Sequence, residues 1–430
     1  MELKPGRKQT EVGVIPENWV VRTLDSCVQP SAPICYGILM PGPHVEGGVL
    51  VIKVRDIEGG RVHETDLQRT HPAIDAAYKR SRVRAGDLLL TIRGSTGRVA
   101  ATSENLNDAN ITQDTARIRI RSEVDARFVY HALQADAAQQ QIALRTIGQA
   151  VKGLNIRDAK MIKLALPLAF AEQRAIAEAL SDADALLDGL DRLIAKKRDL
   201  KQAAMQQLLT GKTRLPGFSG EWEVKRLGDH VTFLRNGVNS RAELLTEGSI
   251  RYLHYGDIHA AVNSYMTPAA LPFLPESKAS RLDRLRDGDV VFADASEDIA
   301  GVCKSVEIAG ASNHEVVAGL HTITARFDKS VLADGFKGLL QHCPLFSRHL
   351  RRLAAGTKVY ATNRSHIATV EMPLPKPDEQ IAISEVLSDM DAELEALEAR
   401  REKVQSLKHA MMQELLTGKT RLVAPEGAHA

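Results

Sequence analysis

Two stretches of the chain, 207 residues apart, repeat each other, and this duplication constrains the fold more than any other feature. Residues 172–215 read EQRAIAEALSDADALLDGLDRLIAKKRDLKQAAMQQLLTGKTRL, and residues 379–422 read EQIAISEVLSDMDAELEALEARREKVQSLKHAMMQELLTGKTRL. Aligned without a gap, 26 of the 44 positions are identical, and the last eight match throughout. The period is far longer than a solenoid repeat, so the chain is predicted to be a duplicated half.

Each copy predicts one long helix with a coiled-coil seam. The seam residues recur at spacings of three and four, or at multiples of that seven-residue step. They are Leu180, Leu187, Leu190 and Ile194, continued less regularly by Leu200 and Leu208, in the first copy, and Leu387, Met390, Leu394, Leu397, Val404 and Met411 in the second. Neither copy contains proline, so each predicts a helix of roughly forty residues, about 60 Å long. The economical partner for each narrow stripe is the other copy; two separate amphipathic core helices are the alternative.

Composition bounds the class of protein. A chain of 430 residues suits two or three domains. Because 56 Lys and Arg face 54 Asp and Glu, overall charge does not indicate nucleic-acid binding, and such a function must rest on local patches. The four cysteines (Cys27, Cys35, Cys303 and Cys343) form no CxxC pair, which favours reduced thiols. With no signal peptide and no apolar run of membrane-spanning length, a soluble cytoplasmic protein is expected.

Two globular segments alternate with the helices. The two tryptophans, Trp19 and Trp222, open these segments at equivalent points of the duplication and are predicted to be packing anchors. Each segment is predicted to be a compact α+β domain. The predicted organisation is an extended N-terminal arm (1–14), a first globular domain (15–166), a first long helix (167–215), a second globular domain (216–374), a second long helix (375–422) and a tail (423–430).

The globular segments resemble each other only weakly. In both, a Gly-Asp turn (Gly86-Asp87 and Gly288-Asp289) leads into an apolar run typical of a strand, and Gly148 and Asn155 are matched by Gly356 and Asn363. Predicted strands lie at 49–55, 87–93, 115–120, 289–293 and 321–327, and predicted helices lie near 125–144 and 332–353. Helices that stayed alike indicate shared architecture, whereas domains that drifted apart indicate two different readers.

No catalytic constellation stands out. The GKT at Gly211 and Gly418 lacks the glycine that a phosphate-binding loop requires five positions earlier, and a helix C-cap is the better interpretation. The segment from Arg93 to Arg98 is Gly-rich and basic, so it could hold a phosphate through backbone amides or form a simple hairpin turn. The sequence contains no HExxH, no zinc-ligand spacing and no GxSxG elbow.

Basic and polar residues in turn-rich parts of both segments are candidates for DNA contacts, since Arg and Lys neutralise phosphates and Arg and Asn read base edges. The candidates are Lys53, Arg55, Arg93, Ser95, Thr96, Arg98, Lys152, Asn155 and Arg157 in the first segment, and Arg251, His254, Tyr255, Lys304, Lys358, Tyr360, Asn363 and Arg364 in the second. For any one of them, a solvated surface charge is the competing interpretation.

The layout resembles a known family. Two divergent domains alternate with two near-identical helices, and each helix is preceded by a proline-containing entry (LPLAFAEQ at 166–173 and LPKPDEQ at 374–380). IPENW near the start and LLTGKTRL at each helix end complete the pattern. Together these features resemble the specificity subunit of a type I restriction–modification system over almost the whole chain. The first entry departs from the pattern, with Ala169 where the second has proline.

The resemblance implies a fold and a role. Each globular domain would be a target recognition domain that reads one half of a bipartite site in double-stranded DNA, with the domains related by a pseudo-twofold axis. The antiparallel helices would space these domains and dock two methyltransferase subunits and the restriction subunits; Leu187, Leu190, Ile194, Leu394, Leu397 and Val404 mark the docking helices. S-adenosylmethionine, ATP and Mg²⁺ would belong to those partners, and no metal or cofactor site is expected in this chain.

Two other functions remain open. A coiled-coil scaffold that binds only protein would show no DNA binding even with partner subunits present. A stand-alone DNA methyltransferase or nuclease would need an Asn/Asp-Pro-Pro-aromatic motif with a glycine-rich loop, or clustered carboxylates with a lysine, and the sequence contains neither.

Overall fold

The computed structural model describes residues 5–148, 152–356 and 358–423. Parts of the predicted arm (1–4), tail (424–430) and the two loops after Gly148 and Gly356 (149–151 and 357) lie outside the described residues. The chain divides into two compact units. Unit one comprises the residues up to Asp191 and those from Ala399 onward, and unit two comprises Arg192–Glu398.

The two long helices are Phe170–Leu208 and Pro377–Leu415, each of 39 residues, hereafter the first and second long helix. Both end before the TGKTRL sequence, so the predicted ends at residues 215 and 422 are too late. The reason is the glycine that follows. Gly211 and Gly418 take positive φ angles of 67° and 62°, which terminate a helix and confirm the predicted C-caps.

The division between the units falls within both long helices, so each unit contains the beginning of one and the end of the other. In unit one, ion pairs join Asp184 to Lys408 and Asp191 to Arg401. The residue numbers of the paired side chains rise along the first helix, from 184 to 191, and fall along the second, from 408 to 401. The helices are therefore antiparallel in this unit, as predicted.

Unit two has the same arrangement. Asp391 pairs with Lys201, and Glu393 pairs with Lys197, again in antiparallel order. The pair Asp391–Lys201 stands at the positions of the repeat that Asp184 and Lys408 occupy in unit one. Each copy of the repeat thus supplies the carboxylate to one unit and the ammonium group to the other.

The strongest of these repeated contacts joins the two ends of the repeat. Glu172, at the start of the first copy, accepts a bidentate hydrogen bond from Arg421, the second-last residue of the second copy (Nη2–Oε2 2.8 Å). Glu379 accepts the equivalent bond from Arg214. Both carboxylates are only 2% exposed, so each is a buried charge that depends on its arginine.

The glutamine beside each of these glutamates fastens the helix to its own globular domain. Gln173 accepts a hydrogen bond from the Asp125 backbone N–H (3.0 Å) and donates one to the Pro167 carbonyl (2.8 Å). Gln380 does the same with Ala333 N–H (2.8 Å) and Pro375 O (2.8 Å). In each Glu-Gln dipeptide, the glutamate therefore binds the arginine of the other copy, and the glutamine binds the backbone of the globular domain.

The predicted tryptophan anchors are confirmed. Trp19 is fully buried, and a Cβ at Gly418 would come within 3.2 Å of its ring. Trp222 lies in the same way against Gly211, and its Nε1 donates to Glu379 (3.3 Å). Each indole packs on the glycine that ends a long helix, which ties the start of a globular domain to the repeat.

Most of the predicted seam is confirmed. Leu180, Leu187, Leu190, Ile194, Leu208, Leu387 and Leu394 are buried, and Met390, Leu397, Val404 and Met411 are half-buried. The prediction that Leu200 continues the buried apolar face is wrong, because its side chain is 47% exposed. Its place seven residues after Leu193 puts it on a different face of the helix from the seam.

Unit one contains a six-stranded sheet and a three-stranded sheet. The six-stranded sheet has the order Cys35–Tyr36, Thr115–Ile118, Leu88–Thr91, Val99–Ala101, Arg61–Val62 and Ile57–Glu58, and the three-stranded sheet has the order Asn110–Ile111, Val49–Ile52 and Gln68–Thr70. A two-stranded ribbon of Trp19–Thr23 and Lys163–Pro167 leads into the first long helix. The α-helices of this globular part are Pro72–Ala76, Ala126–Gln134, Asp136–Arg145 and Ile156–Lys160.

Unit two repeats this topology with five strands in the larger sheet. Its order is Val231–Leu234, Thr322–Phe327, Val290–Ala293, Ser305–Ile308 and Tyr265–Met266, and the smaller sheet has the order Phe273–Leu274, Ile250–Leu253 and Glu315–Ala318. The ribbon before the second long helix is Glu223–Arg226 with Glu371–Leu374. The α-helices are Tyr255–Ala260, Glu276–Ala279, Pro344–Leu353 and Arg364–Ala368. The predicted α+β class is confirmed.

Short 3₁₀ helices connect these elements in both units. They are Leu24–Cys27, Val54–Asp56, Lys79–Ser81, Glu104–Leu106, Leu227–His230, Arg241–Glu243, Pro268–Ala270, Ala311–Asn313 and Lys337–His342.

The Gly-Asp turns explain why the same strand entry recurs. Asp87 is 2% exposed; it accepts the backbone N–H of Arg84 (2.8 Å) and a bidentate bond from Arg119 on the neighbouring strand (2.8 and 2.6 Å). Asp289 does the same with Arg286 and Arg326. These hydrogen bonds raise the pKa of Arg119 and Arg326. The aspartate fixes the turn and joins two strands.

Three predicted elements are corrected. Within the predicted arm, Arg7–Thr10 and Gly13–Pro16 form an antiparallel hairpin, which Gly13 permits with a φ of 109°. The predicted helix at 125–144 is broken at Ala135, which is extended. The predicted helix at 332–353 is broken at Cys343, because Pro344 disfavours helical geometry in the residue before it. Among the described residues, no helix is long and apolar enough to cross a membrane.

The end-to-end pairing predicts a specific loss of stability. Arg421→Gln should lower the free energy of unfolding of unit one by about 2 to 3 kcal/mol, because it leaves the buried Glu172 carboxylate without its partner. The matched control is Arg401→Gln, which breaks an exposed ion pair between the same two helices and should cost less than about 1 kcal/mol. Urea unfolding followed by Trp19 fluorescence in a Trp222→Phe background measures both. Equal losses in the two variants would contradict the pairing.

Candidate nucleic-acid interface

In each unit, two loops meet at one end of the larger sheet. In unit one these are the hairpin loop 93–98, between strands Leu88–Thr91 and Val99–Ala101, and the described residues 147–148 and 152–155, which follow helix Asp136–Arg145. Gly94 N–H donates to Lys152 O (3.0 Å), and Leu154 N–H donates to Ile92 O (2.8 Å). The structure therefore brings together the two predicted loops of the first segment, in the part of it that is described.

The hairpin interpretation of Arg93 to Arg98 is confirmed. The amides of Gly94, Thr96 and Gly97 donate to carbonyl oxygens, and the Arg98 amide donates to Thr91 Oγ1 (2.9 Å). Because these four amides are already hydrogen-bonded within the protein, they do not form a cradle for an anion. Side chains are the better candidates for ligand contacts at this loop.

Arg93 is the exposed cation at the tip of this junction. Its Nη1 lies 3.3 Å from Gln113 Oε1, which places a guanidinium and an amide side by side. Arg98 is also exposed, but its Nη1 donates to Ile57 O (2.9 Å), so it fastens the hairpin to the turn that contains Lys53. That turn is a 3₁₀ helix, Val54–Asp56, whose middle residue, Arg55, has a side chain 70% exposed.

Exposed apolar side chains surround Arg93, and sequence reasoning missed them. Tyr36 is 38% exposed and Leu39 is 48% exposed, and both line a groove of about 760 Å³ with Arg93 and Ile147. Gly37 permits this placement, because a Cβ there would lie 1.9 Å from the Ile111 carbonyl oxygen. The sequence signal for this surface is the apolar run 38–40 that follows Gly37.

The remaining candidates of unit one lie beside this groove. Ser95, Thr96 and Lys152 belong to the two joined loops, and Asn155 lines the groove and precedes helix Ile156–Lys160. Arg157, in the first turn of that helix, is exposed.

Unit two places its two loops in the same way. Ala295 and Ser296 pair with Ala361 and Tyr360, and Thr362 N–H donates to Asp294 O (2.8 Å). Isolated bridges join Ile147 to Gly153 in unit one and Ala355 to Ala361 in unit two. This register confirms the predicted match of Gly148 with Gly356 and of Asn155 with Asn363.

Several candidates in unit two also make contacts within the protein, and their role in DNA binding stays a prediction. Arg251 donates to Leu271 O and lies 3.8 Å over the Phe273 ring. Lys304 donates to His259 O (2.7 Å), and Arg364 donates to Leu234 O (2.8 Å). Each of these charged groups donates to a backbone carbonyl that tertiary packing brings near it, and the sequence alone does not predict such a contact.

Two further candidates cap helices. His254 is 6% exposed and accepts the Gly256 amide, and burial lowers its pKa. Asn363 accepts the His366 amide (3.0 Å) at the start of helix Arg364–Ala368. Lys358 is exposed and Tyr360 is half-buried, so these two remain on the loop surface.

An aromatic cluster at the base of this loop was missed. Tyr255 is flanked by the rings of His254, His259 and His321 at 4.5, 6.0 and 5.5 Å between centroids. His321 has a left-handed φ of 56°, and its Nδ1 lies 3.1 Å from Asp294. The two units thus present different side chains near these loops: a guanidinium with apolar neighbours in unit one, and imidazoles with a tyrosine in unit two.

The six residues that mark the predicted docking helices lie in the seam. Leu187, Leu190, Ile194 and Leu394 are no more than 8% exposed, and Leu397 and Val404 are half-buried. Such side chains stabilise the long helices, and the docking of another subunit on these helices stays a prediction. In the described parts of the chain, no group of three or more His, Cys, Asp or Glu side chains is arranged to hold a metal ion.

Comparison with known proteins gives one consistent relationship. Residues 61–196 match the family model described as "Type I restriction modification DNA specificity domain". The chain is 29% identical over 237 residues to the EcoBI specificity subunit of Escherichia coli, an alignment that covers 54% of this chain and 48% of that protein. It is 25% identical over 312 residues to the MjaVIII specificity subunit of Methanocaldococcus jannaschii, covering 70% of this chain and 71% of that one.

The fold is also similar to solved structures. The S subunit of a type I restriction–modification system from M. genitalium superposes with a TM-score of 0.57 at 16% identity, covering 96% of this chain and 99% of that one. A second structure, from a study of type I complex assembly, has a TM-score of 0.57 at 16% identity and covers 94% of this chain and 99% of its own. At this identity the likeness establishes the fold.

Proposed function

The chain is a relative of type I restriction–modification specificity subunits, and from this premise we propose that it reads a bipartite DNA target with one globular domain per half-site. The observation that supports this most directly is the repeated pair of loops. Both units join a hairpin loop and a following loop in the same register, yet the side chains differ. Loops on a common scaffold are where recognition residues concentrate.

In unit one, Arg93 and Gln113 are the best base readers. A guanidinium pairs with the O6 and N7 atoms of guanine, and an amide pairs with the N6 and N7 atoms of adenine. Their 3.3 Å contact would hold both groups in one plane of approach. Tyr36 and Leu39 add apolar surface suited to a thymine methyl group. In unit two, His321, which lies 3.1 Å from Asp294, and Tyr255 beside it are the candidate readers, with Lys358 as a phosphate contact.

The chain itself is proposed to be non-catalytic. Methyl transfer from S-adenosylmethionine would belong to two methyltransferase subunits, and ATP- and Mg²⁺-dependent steps would belong to restriction subunits. The scaffold alternative shares the helices and lacks the DNA contacts. The differing loops favour the DNA reader, because a scaffold has no need of two dissimilar loop surfaces.

The surface proposed to dock the methyltransferase is a stripe on the first long helix. Leu193 and Leu200, both in unit two, lie seven residues apart and are 39 and 47% exposed. On a helix this spacing keeps them on nearly one face. Such a row of exposed leucines fits a coiled-coil or helix-in-groove contact with another subunit.

Mapping of methylated bases tests the function. Host DNA is sequenced for methylation with this gene and its neighbouring methyltransferase gene present, and again with this gene deleted. A gene-dependent motif with two short defined halves and a fixed undefined gap is expected. Methylation that is unchanged by the deletion, or no motif at all while the two proteins form a complex, would favour the scaffold.

The docking stripe makes a separate prediction. Leu193→Glu with Leu200→Glu should abolish co-purification with the methyltransferase, because two charges would be placed in an apolar contact. The matched control is Leu144→Glu with Leu345→Glu, which adds the same two charges at leucines 85 and 47% exposed outside the long helices. Unchanged urea unfolding of all variants shows that the fold is intact. Retained co-purification of the double variant would place the methyltransferase elsewhere.

A further inference from the structure

A second concavity in unit one is strongly basic and lies apart from Arg93 and Gln113. This basic cleft, of about 590 Å³, is lined by Lys79, Arg80, Arg82, Arg84, Arg117 and Arg119. Asp108 is the single acidic residue among its lining side chains in the described chain. A cleft lined mainly by one sign of charge attracts ligands of the opposite sign, so this one favours an anion.

Arg117 supplies the sharpest evidence. It is 2% exposed, on the buried strand Thr115–Ile118, and its Nη2 donates to Pro33 O (2.9 Å). Its Nε has no hydrogen-bond partner, and within the described residues no carboxylate forms an ion pair with it. A buried guanidinium without a counter-charge is costly, and an anion in the cleft would offset that cost.

Other cations of the cleft show what a satisfied arginine looks like here. Arg82 pairs with the buried Asp75 (Nε–Oδ2 3.0 Å), and Arg119 pairs with Asp87. In contrast, the side chains of Lys79, Arg80 and Arg84 are exposed and form no ion pair with any described residue. The cleft therefore holds more positive charge than its own carboxylates neutralise.

Unit two keeps part of this basic surface and lacks its buried member. With Asp87 set against Asp289, arginines (Arg281, Arg284, Arg286 and Arg326) stand at the positions of Lys79, Arg82, Arg84 and Arg119. Arg117 opposes Leu89 in its sheet and Thr324 opposes Val291, both two residues after the aspartate, so Thr324 stands where Arg117 does. By sequence offset Leu282 replaces Arg80. The shared fold does not require a cation at these two positions, so Arg117 and Arg80 distinguish unit one.

The cleft adjoins the candidate base readers. Tyr36 and Ile156 line both the basic cleft and the groove that contains Arg93. A nucleic-acid strand carries both bases and phosphates. If its bases contacted Arg93, its phosphate backbone would pass the basic cleft.

We propose that the basic cleft binds a backbone phosphate of the DNA beside the half-site read by unit one. This rests on the proposed function. Arg117 is the fixed donor at the back of the cleft, and Arg80 and Arg84 close on the phosphate from its rim. A phosphate contact fixes the register of the domain on the duplex and carries no base information. Unit one thus has a buried donor, Arg117, at a position where unit two has Thr324.

The first test measures the salt dependence of DNA binding by the full chain in complex with its methyltransferase. Arg80→Ala with Arg84→Ala should weaken binding roughly tenfold for target and scrambled duplexes alike, and lower the slope of log affinity against log salt by about 1. The matched control, Arg281→Ala with Arg286→Ala, removes the same charge from the equivalent segment of unit two and should leave the slope closer to that of the parent. Arg93→Ala should instead weaken the target duplex selectively.

Cys35 provides an independent readout. It lines the cleft and is half-buried, whereas Cys27, Cys303 and Cys343 are buried. Duplex DNA should slow its alkylation by iodoacetamide in the parent complex, and much less in the Arg80→Ala, Arg84→Ala variant. Protection by millimolar inorganic phosphate but not by duplex would show a free-anion site and overturn the proposal.

The outcomes separate the two proposals. If the cleft variant and its control lose affinity equally, the cleft is not a phosphate site, while DNA recognition by the parent stands. If the parent complex binds no DNA and no duplex protects Cys35, both the phosphate site and the proposed function fall.

Discussion

The rest of the structure depends on the reciprocal pairing of the two repeat copies at their ends. Arg421 neutralises Glu172, and Arg214 neutralises Glu379, in each case across two antiparallel helices. Both carboxylates are almost fully buried, and each pair takes its glutamate from one copy and its arginine from the other. Loss of either residue from one copy therefore leaves its partner in the other copy as an unpaired charge. This gives a physical reason why the last eight residues of the copies are identical, while the middle of the helices has diverged.

On this scaffold, what is shared and what differs have separate physical causes. The Asp87–Arg119 pair and its counterpart Asp289–Arg326 fix the same turn and the same strand neighbours in both units. The loops above them carry no such constraint. One domain can therefore present arginine and leucine, and the other histidine and tyrosine, without a change of topology. Two readers with one architecture suit a target of two unlike halves.

Sequence reasoning reached the architecture and stopped at the side chains. The helices, their glycine caps and the matched Gly148 and Gly356 follow from local rules that a repeated sequence states twice. The roles of Arg251 and Lys304 did not, because each donates to a carbonyl brought near by tertiary packing. Arg117 was overlooked for the opposite reason: a single basic residue in a strand gives no sign that it is buried without a counter-charge.

The most direct test of this account is a double-mutant cycle on the end-to-end pair of unit one. Glu172→Gln, Arg421→Gln and the double variant are unfolded in urea, with Trp19 fluorescence as the signal in a Trp222→Phe background. A buried bidentate pair predicts that the double variant is less destabilised than the sum of the single changes, by about 2 kcal/mol or more. Additivity within about 0.5 kcal/mol would contradict the claim that this pairing holds the repeat together.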